Sequence, residues 1–571
     1  MNHLKTGCLL LLPIFLLNSC VTTEEMDLLI HNAKIYTVND AFDVQEAMVI
    51  KDGIIVDIGP QNEILNKYTA KEVVDAGKKP IYPGFIDAHC HFVGYAQNLN
   101  EVNLVGTSSF EEVVERVSAF AQTNQSEWIV GRGWDQNDWE VKEFPMNDLL
   151  DSLFPSTPVF LTRIDGHAAL ANSTALNRAG IDHNTRVDGG IITFKVLQNN
   201  TMKTIESSEL TDYSQLHPKP TGILIDNAVN LVSSKIPGAS QDQLRKSLLK
   251  AQQNLVAVGL TTVDDAGLDR QVIELIEHMQ ADGDLKLKVY AMISGTKEML
   301  EHYLEAGPHK TKKLNVCSFK FYADGALGSR GACLLEPYSD ILEQLHHGLL
   351  TTNQTFFETY APLLYEKGFQ MNTHCIGDSA NRMILNIYAK VLGGVNDKRW
   401  RIEHAQVVHP ADLEKFKAFT IIPSVQPTHA TSDMYWAQDR LGEERVKSAY
   451  AYNDLLSQNG LLALGTDFPV EGINPMNTFY AAVVRKDLNG FPENGYQVNN
   501  ALSRKDALKG ITIWAAIANF EENEKGSLEI GKAADFVMLD NDLMDAEEAD
   551  IPNIRVLSTY IDGERVYTLK K

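Results

Sequence analysis

Residues 81–91 read IYPGFIDAHCH, an apolar run that closes on two histidines one residue apart. Its length and bulky apolar content are those of a buried strand. In an extended chain alternate side chains share a face, so His89 and His91 point together while Cys90 points away. Alone, such a pair reads equally well as two satisfied core or surface histidines. Its company in the rest of the chain gives it meaning.

Seven further strand-like runs follow, with helical stretches between them: LTTVDDAG (260–267), LKVYAMIS (287–294), SFKFYADG (318–325), FQMNTHCIGD (369–378), WRIEHAQ (400–406), TIIPSVQP (420–427) and LLALGTDFP (461–469). Eight such units in an α/β rhythm predict a closed (β/α)8 barrel of the TIM type, with functional residues at the carboxyl ends of its strands. The first two runs are separated by about 160 residues, far more than a barrel connection needs. Residues 94–245 are therefore read as an inserted lid or specificity domain, leaving 82–93 and 246–525 to the barrel. GRGWDQNDW (131–139) makes Trp134 a candidate substrate contact, although Trp134 and Trp139 serve equally as that domain's own core. Residues 26–81 and 526–571 carry short apolar runs broken by turn signals, among them Asp52-Gly53 and Asp562-Gly563. We read the two ends as one small β-sandwich with no helix in it.

Composition narrows the partners. The chain has 571 residues, 51 Lys and Arg against 75 Asp and Glu, and a net charge of −24, which repels nucleic acid and anionic membrane surfaces. The expected partner is a small-molecule substrate, with a homo-oligomer left open. Residues 1–20, MNHLKTGCLLLLPIFLLNSC, carry one basic residue and an apolar run of about half the ~20 residues that span a bilayer. This is an export signal. Leu17-Asn18-Ser19-Cys20 resembles a bacterial lipobox, which implies a lipid anchor on Cys20 and a periplasmic or cell-surface location, with plain secretion as the alternative. Beyond the leader, Cys90, Cys317, Cys333 and Cys375 are too sparse for a disulfide framework.

His374 closes the fifth run, His404 the sixth and Asp467 the eighth, at the same expected barrel mouth as His89 and His91. Nitrogen and oxygen donors of this kind suit Zn2+, with other divalent ions as alternatives. On the fourth run Lys320, Tyr322 and Asp324 share one strand face. A positive lysine beside a cationic site is unfavourable unless it is modified or paired, for instance with Asp324.

Together FIDAHCH, KFYADGALGSR, THCIGD, RIEHAQ and LGTDFPV resemble the amidohydrolase superfamily from about Met26 to the C-terminus, in particular the branch that includes N-substituted formamide deformylases. That resemblance implies two ions, one on His89, His91 and Asp467, the other on His374 and His404, bridged by a carboxylated Lys320. A single ion held by His89, His91, one later histidine and Asp467 is the alternative. It further implies hydrolysis of a non-peptide C–N bond by metal-bound hydroxide, with Asp467 as the catalytic base. Deamination, ester or lactone hydrolysis, isomerisation and a non-catalytic binding protein are alternatives on the same scaffold. His167, Asp324, Arg330 and His429 are further candidates for substrate contact, although Arg330 serves as readily in a structural ion pair.

Overall fold

The computed structural model describes residues 25–124, 126–199, 201–210, 216–341 and 345–570. The expected leader and Cys20 lie outside these residues. Among the described residues no helix is long and apolar enough to cross a membrane, and Cys90, Cys317, Cys333 and Cys375 are free thiols.

Eight parallel strands form the central sheet in sequence order: Phe85–Cys90, Leu260–Leu268, Lys288–Ser294, Leu314–Tyr322, Gln370–Cys375, Arg401–His404, Ile422–Val425 and Ala463–Leu464. We call these barrel strands 1 to 8. The predicted barrel is thus present, one strand per run. Its closure is made by residues just beyond strand 8. Asp467 N–H donates to His89 O at 2.8 Å and His91 N–H to Phe468 O at 2.8 Å. Asp87 accepts from Thr466 N at 3.0 Å and Thr466 Oγ1 at 2.7 Å. The seam that shuts the barrel therefore places Asp467 beside His89 and His91.

The barrel interior beneath this mouth is polar and buried. Arg401, fully buried, reaches Glu403 at 2.6 Å, Asp264 at 3.2 Å and Ser424 Oγ at 3.0 Å, and also donates to Ala88 O. A buried guanidinium with two carboxylates ties strands 1, 2, 6 and 7 together, and such a group persists only when its hydrogen bonds are satisfied.

The β-sandwich is built from both chain ends: a four-stranded sheet lies entirely within residues 25–75, and a six-stranded sheet pairs Pro80–Pro83 antiparallel with Phe536–Leu539. Leu28, Ile30, Met48 and Ile50 meet Ile35, Ile81, Phe536 and Tyr560 between them. Both expected turns have two consecutive residues in the left-handed region, Asp52-Gly53 at φ 52° and 80° and Asp562-Gly563 at 49° and 72°, as a two-residue hairpin requires. They also pack on each other: a Cβ on Gly53 would lie 2.7 Å from Asp562 O. Against expectation, an α-helix, Gln61–Lys67, and a 3-10 helix, Glu548–Asn553, stand in this domain; the first carries the chain to Thr69–Asp75, which pairs parallel with Glu25–His31. A parallel pair needs such a crossover.

The long gap after strand 1 holds a seven-stranded sheet running from Val102–Asn103 to Lys219–Asp226. Helix Phe92–Asn98 packs on helix Gln241–Ala257, whose capping box at Ser240 starts it a few residues before the expected boundary at 246. Trp134 is 1% exposed, packs with Ile129, Leu161 and Trp139, and donates its indole N–H to Leu161 O at 2.8 Å. It is core of the inserted domain and lines neither of the two cavities at the barrel mouth.

Candidate metal centre

The side chains expected at the barrel mouth converge. His91 Nε2 lies 3.2 Å and His89 Nε2 3.7 Å from Asp467 Oδ1. On the other oxygen, Oδ2, His429 Nε2 lies 3.8 Å and His404 Nδ1 3.9 Å away. The His404 ring is 4.8 Å from that of His89 and 4.5 Å from that of His374. Lys320 Nζ is 2.9 Å from His89 Nε2. Asp467 and His404 hold left-handed backbone conformations, φ 62° and 72°. Such strain in non-glycine residues is kept where surrounding structure compels it and clusters at functional sites.

Partners behind the ring atoms fix which nitrogen faces the centre. His89 Nδ1 is bound to Glu403 Oε2 at 2.5 Å and His404 Nδ1 to Gln426 Oε1 at 2.7 Å. The first bond holds a proton on His89 Nδ1 and leaves Nε2, which faces Asp467 and Lys320, with its lone pair, the arrangement by which histidines are oriented toward metals; the second fixes the His404 ring with Nδ1 between Gln426 and Asp467. Burial would raise the Glu403 carboxyl, but Arg401 and His89 hold it at about 2. Burial, with the Lys320 charge nearby, brings His89 down to about 4. His374 and His404 are held well below the usual histidine value by burial and by neighbouring positive groups, so both are neutral donors. Asp467, which burial alone would raise, is kept well below the usual carboxylate range by His91, His89 and His404.

These donors fit a divalent ion. Asp467 Oδ1 and His429 Nε2 are buried with no hydrogen-bond partner, which is costly unless a further group engages them. Among the described residues two sets lie close enough to share an ion: His89, His91 and Asp467, and His404, His429 and Asp467. The second set has His429 where His374 was expected. His374 Nε2 instead lies 3.5 Å from Gly325 O, its ring edge-on to that of His404.

Two residues expected to contact substrate are held elsewhere. Asp324 is fully buried and accepts backbone N–H bonds from Cys333, Ile376 and Gly377 at 2.8–3.0 Å. It clamps the loop after strand 4 onto strand 5 because strand 4 ends at Tyr322 and the alternation that aligned it with Lys320 stops there. Arg330 pairs with Asp340 at 2.9 Å, the structural ion pair. His167 does reach the centre: it sits on the turn between strands Val159–Arg163 and Ala168–Ala171 of the inserted domain, 5.0 Å from the His374 ring, with Nδ1 bound to Asp226 at 2.8 Å.

Two adjoining cavities of about 750 and 430 Å3 open at this place, and His167, His404 and Asp467 line both. Sequence reading passed over Glu403 and Gln426, although the former lies inside the RIEHAQ motif. We expect Glu403→Gln to weaken zinc affinity about 10- to 100-fold, measured by competition with a fluorescent chelator. Unaltered affinity would show that Glu403 does not orient His89.

A barrel whose mouth gathers imidazoles around one carboxylate beside two cavities defines a metal-dependent hydrolase. The chain matches the Amidohydrolase family over residues 72–213 and 214–567 and belongs to that family. It is 32% identical to Protein LONG AFTER FAR-RED 3 of Arabidopsis thaliana, covering 95% of this chain and 91% of that one. It is 25% identical to the N-substituted formamide deformylase of Arthrobacter pascens, over 95% and 98%. An uncharacterized metal-dependent hydrolase from Pyrococcus horikoshii OT3 superposes with a TM-score of 0.71 at 26% identity, over 91% and 99% of the two chains.

Proposed function

We propose that this protein hydrolyses a carbon–nitrogen bond other than a peptide bond, in an amide, formamide or cyclic amide. The observation that carries the reading is the single carboxylate of Asp467 set among His89, His91, His404 and His429 at the meeting of two cavities. Similarity to a formamide deformylase along nearly its whole length supports the bond type.

In this reading His89, His91 and Asp467 hold one divalent ion, most simply Zn2+. His404 would hold a second with His374 or His429, and Lys320, carboxylated, would stand between the two. The ionised form of Lys320 beside His89 Nε2 opposes a cation, and carboxylation reverses that charge. A divalent ion supplies acidity to water, bringing its pKa to about 7, and polarises the carbonyl of the substrate. Asp467 takes the proton of the attacking water and returns it to the nitrogen that leaves, as a carboxylate within reach of both can. Tyr322 and His167 wall the centre from the side of the smaller cavity and narrow the room for substrate.

The test is a panel of N-formyl and N-acyl amines with metal-loaded protein. We expect turnover that falls at least about 100-fold on chelation and returns with Zn2+. Turnover indifferent to chelation, or none on the panel at full metal loading, would contradict the proposal.

A further inference from the structure

Arg132 enters this site from the inserted domain. It lies in strand Ile129–Trp134, whose alternation would put Arg132 and Trp134 on one face. The register breaks between them at Gly133, φ 116°, where a Cβ would lie 2.5 Å from Val105 Cγ2. The irregularity sends Trp134 into the domain core and leaves Arg132 on the other face, where it lines both cavities.

Its guanidinium donates one hydrogen bond, from Nη2 to Ile164 O at 2.9 Å, and its Nε is buried with no partner. Among the described residues no carboxylate forms an ion pair with it. The other cations on these walls are engaged. Arg163 holds Asp135 and Asp165 and donates to Gln136 at 2.9 Å, and Lys320 belongs to the metal centre. Asp165, Asp467 and Glu101 lie near enough to favour its charge, but a partly buried guanidinium with an unpartnered N–H is costly, and here it fronts the open space beside Asp467, His404 and His167. A ligand acceptor in that space satisfies the unpartnered N–H most directly.

We propose that Arg132 binds a carboxylate of the substrate and that the site acts on N-acyl or N-formyl amino acids, whose carboxylate lies a few atoms from the scissile C–N bond. The planar guanidinium fork matches a carboxylate. Glu101, Asp138, Asp433 and Glu471 also line the larger cavity and disfavour a ligand of higher negative charge such as a phosphate. The proposal rests on the C–N reading above and names its substrate class.

The test compares N-formylleucine, both enantiomers, with N-formylisoamylamine, which differs only in lacking the carboxylate. The zinc-loaded protein is expected to favour one N-formylleucine enantiomer in kcat/KM. In Arg132→Gln the KM for that enantiomer is expected to rise about 10- to 100-fold, the worth of a charged hydrogen-bonded contact, and the preference to fall by the same factor. Arg132→Lys should recover only part of it. Calorimetric binding of isovalerate, a carboxylate with no scissile bond, should weaken in parallel in variants whose melting temperature and zinc content match the parent. Equal or better turnover of N-formylisoamylamine by the parent would overturn the proposal and leave the C–N reading standing, as would equal loss on both substrates in Arg132→Gln. Arg132-dependent binding of isovalerate with turnover of neither formamide would keep the carboxylate site and sink the C–N reading. Absence of both would sink both.

Discussion

Asp467→Asn should lower kcat by about 100- to 10,000-fold, the usual worth of a positioned proton acceptor. The substitution keeps the shape and one oxygen donor but removes the charge. The His89 and His91 nitrogens that lie 3.7 and 3.2 Å away remain in place. The backbone bond from residue 467 to His89 O, 2.8 Å long, is untouched, so the barrel seam should hold. Circular dichroism and melting temperature should therefore match the parent while single-turnover chemistry fails. Activity within threefold of the parent would remove Asp467 from the proton path.

The largest effect on stability is expected from Arg401→Met. Glu403 and Asp264 would be left in the barrel interior without the guanidinium they share. Removing one partner of such a buried group costs about 3–5 kcal/mol, read as a fall in the urea midpoint of metal-free protein. The burden falls unevenly. Burial already lifts Asp264 to about 8 despite Arg401, whereas Glu403 is held at about 2. Without Arg401, the Glu403 carboxylate that orients His89 is weakened, so zinc affinity should fall with stability. A loss below about 1 kcal/mol would mean that the interior charges are solvated in a way the fold does not show.

The eight runs were legible because a parallel barrel strand is buried on both faces and reads as a short apolar stretch ending in polar residues. The candidate metal-binding positions His89, His404 and Asp467 fall at or just beyond those ends for the same reason. His91 joins them for a partly different cause: strand 1 stops at Cys90, and His91 reaches Asp467 from the cap of the following helix. Positions off the strands were less legible. Alternation assigns Asp324 to the face of Lys320, but the strand ends before it, and the composition of GRGWDQNDW offers Trp134 equally to substrate and to the domain core, a choice that a register break decides. Neither event has a periodic signature. Glu403 and Gln426 were invisible because they act on the ligands from behind, and a second row of contacts depends on which strands become neighbours. Arg132 lies within GRGWDQNDW with no signal of a role, since only the three-dimensional arrangement shows that it forms no ion pair and fronts both cavities.

The account stands on one cation centre shared by side chains from strands 1, 4, 5, 6 and the segment after strand 8. Anomalous diffraction from crystals of zinc-loaded protein, collected on both sides of the zinc edge, tests it most directly. We predict density within coordination distance of Asp467 and of His89, His91 or His404. Full occupancy elsewhere, or no zinc retained by correctly folded protein, would contradict it.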